Sequence, residues 1–276
     1  MSVASRPAPA AVVVSGTALT ATLEGIGFWA TGLPSWQAAC DYVTSGALPD
    51  AAPARPSPQL LAPNERRRAP ESVAVALDVA LAACAAAGRD PQMLPSVFAS
   101  MHGDLAITDY MCTTLTSDPT AISPTKFHNS VHNAAAGYWT IGNGCVQPTT
   151  AISSFDASFA QGLLEALVQL RAGAPAVLLA AYDAPSAGPL AAVSPSTGLL
   201  GGALVLSSTP RAGAPQLRFT LVDADVPPPS GTLARVAGAN AMAPMLPLFQ
   251  ALASGDDLAY LHAGPGRALR VEIADA

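Results

Sequence analysis

Charge is what this sequence has least of: Asp, Glu, Lys and Arg together make up 12% of its 276 residues, the net charge is −6, and Lys126 is the only lysine. That excludes the dense basic face required to neutralise a phosphate backbone, so no nucleic acid is expected as a partner. Cysteine is scarce as well. Cys40, Cys84, Cys112 and Cys145 are far apart and form no C-x-x-C pair, which leaves reduced, buried thiols as the expected reading. No apolar run reaches the roughly 20 residues of a membrane span. The longest candidates, 72–87 and 175–181, are too short or carry Asp78. The opening segment holds Arg6 and only a brief apolar run, too little for a secretory leader, so the chain is expected in the cytoplasm.

What is abundant is alanine and other apolar residues. Half of the chain is apolar and the mean hydropathy is +0.35. With no span to account for this, an alanine-rich interior must, and a surface so poor in charge points to partial cover by a partner.

The periodicities predict strands alternating with helices, hence an α/β sheet with helices on both faces. Strands are expected at 12–14, 95–100, 149–154, 176–181, 199–207, 216–222 and 268–273. Helices are expected at 36–43, 70–88, 104–115, 133–142, 156–172 and 240–253. The 70–88 helix has Val73, Leu77, Ala80, Leu81 and Cys84 at three- and four-residue steps, with Gly88 as its stop. Glu24–Trp36 reads as a Gly- and aromatic-rich loop. Residues 44–63, rich in Pro, Ala and Ser, read as a surface excursion within a single domain spanning 1–276.

The chemistry-bearing stretch runs from Phe98 to Pro185: F-A-S-M-H-G-D-L, then S-P-T-K-F-H-N-S-V-H-N-A-A-A-G-Y-W-T-I-G, then Q-P-T-T-A-I-S-S-F-D-A-S-F-A-Q-G, and the strand V-L-L-A-A-Y-D-A-P. This resembles the β-ketoacyl synthases of the thiolase-like superfamily, in which an N-x-A-A-G helix is followed by a G-P-x-x-x-x-x-T-A-C-x-S-G elbow. The segment Val12–Gly16 resembles their first strand, and Gly198–Leu206 a later one. The S-P-T-x-F-x-N-S-V-H-N form is closer still to the chain-length-factor-like proteins of aryl polyene (xanthomonadin-type) clusters. The resemblance covers roughly residues 10–222. It implies a thiolase-like layered α-β-α fold with its N-terminal half present and its C-terminal half abbreviated.

The same resemblance assigns site residues. Counted from Pro148, the nucleophile's place falls on Asp156, flanked by Ser154, Phe155 and Ser158. A ketosynthase cysteine there is activated by a helix dipole and nearby histidines. A carboxylate is a poor acyl acceptor but a good helix N-cap, and that capping role is the expectation, with acid–base chemistry or decarboxylation as the alternative. About 54 residues follow Val222, with no histidine motif of the ketosynthase kind; His262 stands by itself in Y-L-H-A-G-P-G. No catalytic residue and no cofactor are therefore expected.

The chain is instead expected to pair with a catalytic ketosynthase subunit and to meet an acyl carrier protein, the alternatives being a free-standing acyl transferase or malonyl decarboxylase using Asp156, or a carrier-protein binding module. Tyr110, Met111 and Leu115 fall where chain length factors close an acyl tunnel, ordinary core packing being the alternative. Phe127, His128, His132 and Asn133 fall in the segment facing the dimer partner. The i, i+4 spacing of His128 and His132 also suits a metal on one helix face, but Pro124 and the lack of a third ligand favour satisfied interface histidines. Arg66, Arg67 and Arg68 are a candidate dock for an acidic carrier protein, with a solvated helix start as the alternative. Cys145 reads as an inert thiol.

Overall fold

A computed structural model describes residues 18–274. In chain order they form β1 (Leu19–Ala30), α1 (Trp36–Ser45), α2 (Pro63–Arg68), α3 (Glu71–Ala87), β2 (Ser96–Ala99), α4 (Leu105–Ser117), α5 (Pro124–His128), α6 (Ala134–Asn143), β3 (Thr149–Ile152), α7 (Ser158–Arg171), β4 (Ala176–Asp183), β5 (Leu200–Ser207), β6 (Gln216–Asp223), α8 (Thr232–Ala237), α9 (Leu246–Ser254), β7 (Leu258–Gly264) and β8 (Arg267–Ala274). One eight-stranded sheet runs β3-β2-β4-β5-β1-β6-β8-β7. Its β3-β2-β4 portion is parallel and the rest antiparallel. Helices cover both faces: α3 and α6 on one, α1, α7 and α9 on the other.

The alanine and glycine content is explained by how closely these layers approach. α3 is buried on nearly every side, from Ser72 to Ala87, as a helix without a polar face must be. It lies directly on β1. A Cβ on Gly25 would stand 2.2 Å from the Ala83 carbonyl oxygen, and one on Gly27 2.0 Å from that of Val79. This corrects the loop expected at Glu24–Trp36. Its glycines are places where a helix backbone presses on a strand, and its aromatics Phe28 and Trp29 are core residues.

Two further expectations change. The helix expected over 240–253 is a 3₁₀ turn at Ala243–Met245 followed by α9, with prolines at the start of each. β7, an edge strand, was not expected at all. The expected strand at 12–14 lies outside the described residues. Among the described residues, no helix is long and apolar enough to cross a membrane.

The connection from β2 to β3 carries α4, α5 and α6, and its α4 and α5 are lightly packed. α4 buries only Leu105 and Ile107, and α5 buries nothing. The excursion leaves Leu115, Phe127, Val131, Ile141 and Val146 exposed, the last at 92%. Next to it, β3 is the terminal strand and pairs with β2 alone.

Candidate functional site

The elbow between β3 and α7 is shaped by Ser158. Its hydroxyl accepts from the Ser154 N–H at 2.9 Å and donates to the Phe155 carbonyl at 2.5 Å, while the Ala157 N–H reaches the Ser154 carbonyl at 3.0 Å. These bonds hold Phe155 at φ +49°, the only non-glycine in the left-handed region among the described residues. A bulky residue there stores strain, and strain of this kind collects at functional turns. Phe155 is 77% exposed, whereas Ser158 is buried with its hydroxyl committed in both directions. Ser158 is therefore no nucleophile.

Asp156 follows the strained residue, but it does not cap α7. The cap position is Ala157, with no side-chain cap bond, because the Asp156 carboxylate turns away to His262. Its Oδ1 lies 3.3 Å from His262 Nε2, with side-chain exposures of 65% and 25%. His262 comes from β7, which is tied to α7 where Gln161 Nε2 donates to the Ala263 carbonyl at 2.8 Å. The histidine that reads as isolated in sequence thus faces Asp156. A partly exposed imidazole–carboxylate pair can hold and orient a proton, but it offers no thiol or hydroxyl to acylate.

A second polar cluster fixes the start of α4. Asp183, fully buried at the end of β4, accepts from Ser100 Oγ at 2.7 Å and from the N–H groups of Met101 at 2.9 Å and His102 at 3.2 Å. Burial pushes its carboxyl up to about 6, against the lowering effect of those donors. His132 Nε2 donates to the Ser100 carbonyl at 2.8 Å, which sets that ring's tautomer. His102 Nε2 lies 2.6 Å from Ser194 Oγ, and burial holds its pKa below the usual imidazole value. Asn240 adds a bond to the Asp183 carbonyl at 3.1 Å.

The remaining sequence-derived residues lie on the β2–β3 connection, apart from the arginines of α2. Tyr110 ties α4 to α5: its hydroxyl accepts from the Ser123 N–H at 3.0 Å, and Lys126 Nζ stands 3.8 Å from its ring centre. Met111 is half-buried, while Leu115 and Phe127 project outward. His128 meets the edge of Tyr138. It ends α5, whereas His132 lies in the turn before α6, so the i, i+4 pair does not share one helix face. Asn133 is exposed at the head of α6 with no side-chain cap bond. Arg66 donates to the Leu61 carbonyl and Arg67 to Asn64, and Arg68 lines two adjoining cavities beside α5. Cys145 is buried, with Sγ 3.7 Å from the Leu94 carbonyl oxygen.

Solved structures resemble this fold almost end to end. A chain of the ketosynthase (ApeO) in complex with its chain length factor (ApeC) from Xenorhabdus doucetiae matches with a TM-score of 0.72 at 23% identity, over 92% of this chain and 99% of the other. The ishigamide ketosynthase/chain length factor matches with a TM-score of 0.68 at 16% identity, over 94% and 99%. A β-ketoacyl synthase from Burkholderia phymatum matches with a TM-score of 0.62 at 13% identity, over 94% and 100%. No curated protein matches in sequence. The family of the β-ketoacyl synthase N-terminal domain matches residues 36–261, and with the elbow and sheet described above this chain belongs to that family.

Proposed function

We infer that this protein is a non-catalytic, chain-length-factor-like subunit that pairs with a β-ketoacyl synthase and shapes its acyl tunnel during polyene or fatty-acid-type chain elongation, with aryl polyene synthesis the favoured setting. The observation that carries this reading is the elbow. Where a condensing enzyme needs an acyl-accepting thiolate, this chain holds Asp156 against His262, and the neighbouring hydroxyl of Ser158 is locked. Two of the similar structures are a ketosynthase with its chain length factor, which supports the pairing.

The surface supports it too. β3 presents one unpaired edge of backbone N–H and C=O groups, next to Ile141, Val146 and Phe155, all strongly exposed. Such an edge, bordered by apolar side chains, is covered in a stable assembly. α4 and α5 lie in the connection between β2 and β3, and their residues Tyr110, Met111, Leu115 and Phe127 are assigned to the tunnel wall and the contact. Arg66, Arg67 and Arg68, in the last turn of α2, are assigned to an acidic acyl carrier protein. The assembly is placed in the cytoplasm.

Co-expression with a ketosynthase encoded beside it, followed by native mass measurement, tests the pairing. A one-to-one complex is expected, and a chain that purifies only by itself would overturn the reading. The 3.3 Å Asp156–His262 contact favours one other reading, decarboxylation of malonyl-carrier protein by the isolated chain. Release of carbon dioxide from that substrate in the absence of a partner would establish it.

A further inference from the structure

α4 is held by its first turn and by little else. Over its 13 residues it buries only Leu105 and Ile107, and α5 beyond it buries nothing. The direction of a helix is normally set by the side chains it packs against a neighbour. With so few of them here, direction is left to the hydrogen bonds at the helix start.

Those bonds converge on the turn from Ser100 to Gly103, and Asp183 is their centre. Its completely buried carboxyl takes three donors from that turn: Ser100 Oγ at 2.7 Å, the Met101 N–H at 2.9 Å and the His102 N–H at 3.2 Å. Ser100 Oγ in turn accepts from the Gly103 N–H at 2.8 Å, which closes the turn one residue before Asp104, the cap of α4. A buried carboxyl is costly unless its donors are in place, so three of them on consecutive residues specify one geometry. Other elements fasten to the same turn. Ser153 of the elbow donates to the Met101 carbonyl at 3.0 Å. The His132 ring, just before α6, donates to the Ser100 carbonyl at 2.8 Å. Ser72 of α3 donates to Asp104 at 2.8 Å.

We propose that Asp183 is a positioning residue: by fixing the Ser100–Gly103 turn it sets the direction in which α4 leaves the sheet, and through α4 the product length of the two-subunit enzyme. The second half rests on the tunnel-wall reading of Met111 and Leu115. The helix acts as a lever. Leu115 stands about 16 Å along the axis from Asp104, at about 1.5 Å per residue, so a tilt of about 10° at the turn carries it about 3 Å. That is the scale of one extension unit of an acyl chain.

The test uses this chain in its complex with a ketosynthase. Asp183→Asn keeps the size of the side chain but, whichever way the amide faces, sets an NH2 group against a backbone N–H. Hydrogen exchange of the α4 amides should then speed up at least tenfold, while α3 and α7 keep their protection. Product lengths should spread by one extension unit or more, with the rate of the first condensation changed less than twofold. Ser153→Ala removes one tie to the same turn at an exposed residue. It should move both readouts in the same sense by less, and it keeps the test decisive where the buried variant fails to fold. Unchanged α4 exchange in the variants that fold, or a loss of protection shared equally by α3 and α7, overturns the proposal. Faster α4 exchange with unchanged product length leaves Asp183 as the positioning residue of α4 and overturns the tunnel-wall reading instead.

Discussion

His262 Nε2 lies 3.3 Å from Asp156 Oδ1, and this contact joins β7 to the elbow between β3 and α7. It is partly solvated, so its contribution to stability is small even though its position is central. Asp156→Ala and His262→Ala should each change unfolding free energy by less than about 1 kcal/mol. Urea denaturation checks this, and a larger loss would make the pair a structural tie.

The contact between α3 and β1 should be far less tolerant. At Gly27 a methyl group would meet the Val79 carbonyl oxygen at 2.0 Å, and neither backbone can move without opening the sheet. Gly27→Ala should cost about 1–3 kcal/mol or more, read as a fall in thermal midpoint. Gly173 supplies the control for steric effects, since a Cβ there meets nothing within 4 Å. Its φ of +113° leaves only conformational strain.

Stability should also report the buried carboxyl of Asp183. Its pKa in the fold, raised to about 6 by burial, exceeds the unfolded value of about 4. The folded state therefore holds the proton more tightly. The stabilisation from protonated Asp183 is full below about pH 4 and is lost as pH rises through 6. Asp183→Asn removes this titration. The stability of the native protein minus that of the variant should fall between pH 4 and pH 7, by an amount on the order of 2 kcal/mol. A difference that stays flat with pH would contradict the assignment.

The surface beside β3 should behave as an interface. Val146→Asp and Phe155→Ser alter exposed side chains, so the isolated chain should keep its thermal midpoint while affinity for a ketosynthase falls at least tenfold. Sedimentation of the mixed subunits reads this directly. An unchanged affinity would move the contact elsewhere.

Product length is the reading expected from α4. Replacing Met111 or Leu115 by Trp should shorten the product of the two-subunit enzyme, and Ala should lengthen it, as read by mass analysis of the released chains. Unchanged product length in both directions would reduce this subunit to a binding module.

Much of this architecture was legible in the sequence because its signals were local. The 70–88 pattern marked α3 and its Gly88 stop; the apolar run at 176–181 marked β4; the wide apolar face over 156–172 marked α7. What was missed depended on distant packing. Gly25 and Gly27 have the local signature of a loop, and only the pressure of α3 makes them strand residues. β7 is a short edge strand whose burial alternates from Leu258 to Gly264, but its sequence L-A-Y-L-H-A-G does not alternate in polarity, so neither it nor its histidine stood out. The partner of Asp156 lies on another element, far along the chain. No spacing rule connects the two. Asp156 read as a helix cap from its neighbours alone, although its carboxylate had a better partner across the fold.

The most direct test is to supply the purified chain, with no partner, both an acyl-carrier and a malonyl-carrier substrate, and to follow the intact mass of the chain and the products. No acyl adduct and no elongated ketoacyl product should appear, while the same substrates are extended when a ketosynthase is added. An acyl adduct on the lone chain, or a lengthened product formed by it, would contradict the assignment of a non-catalytic partner.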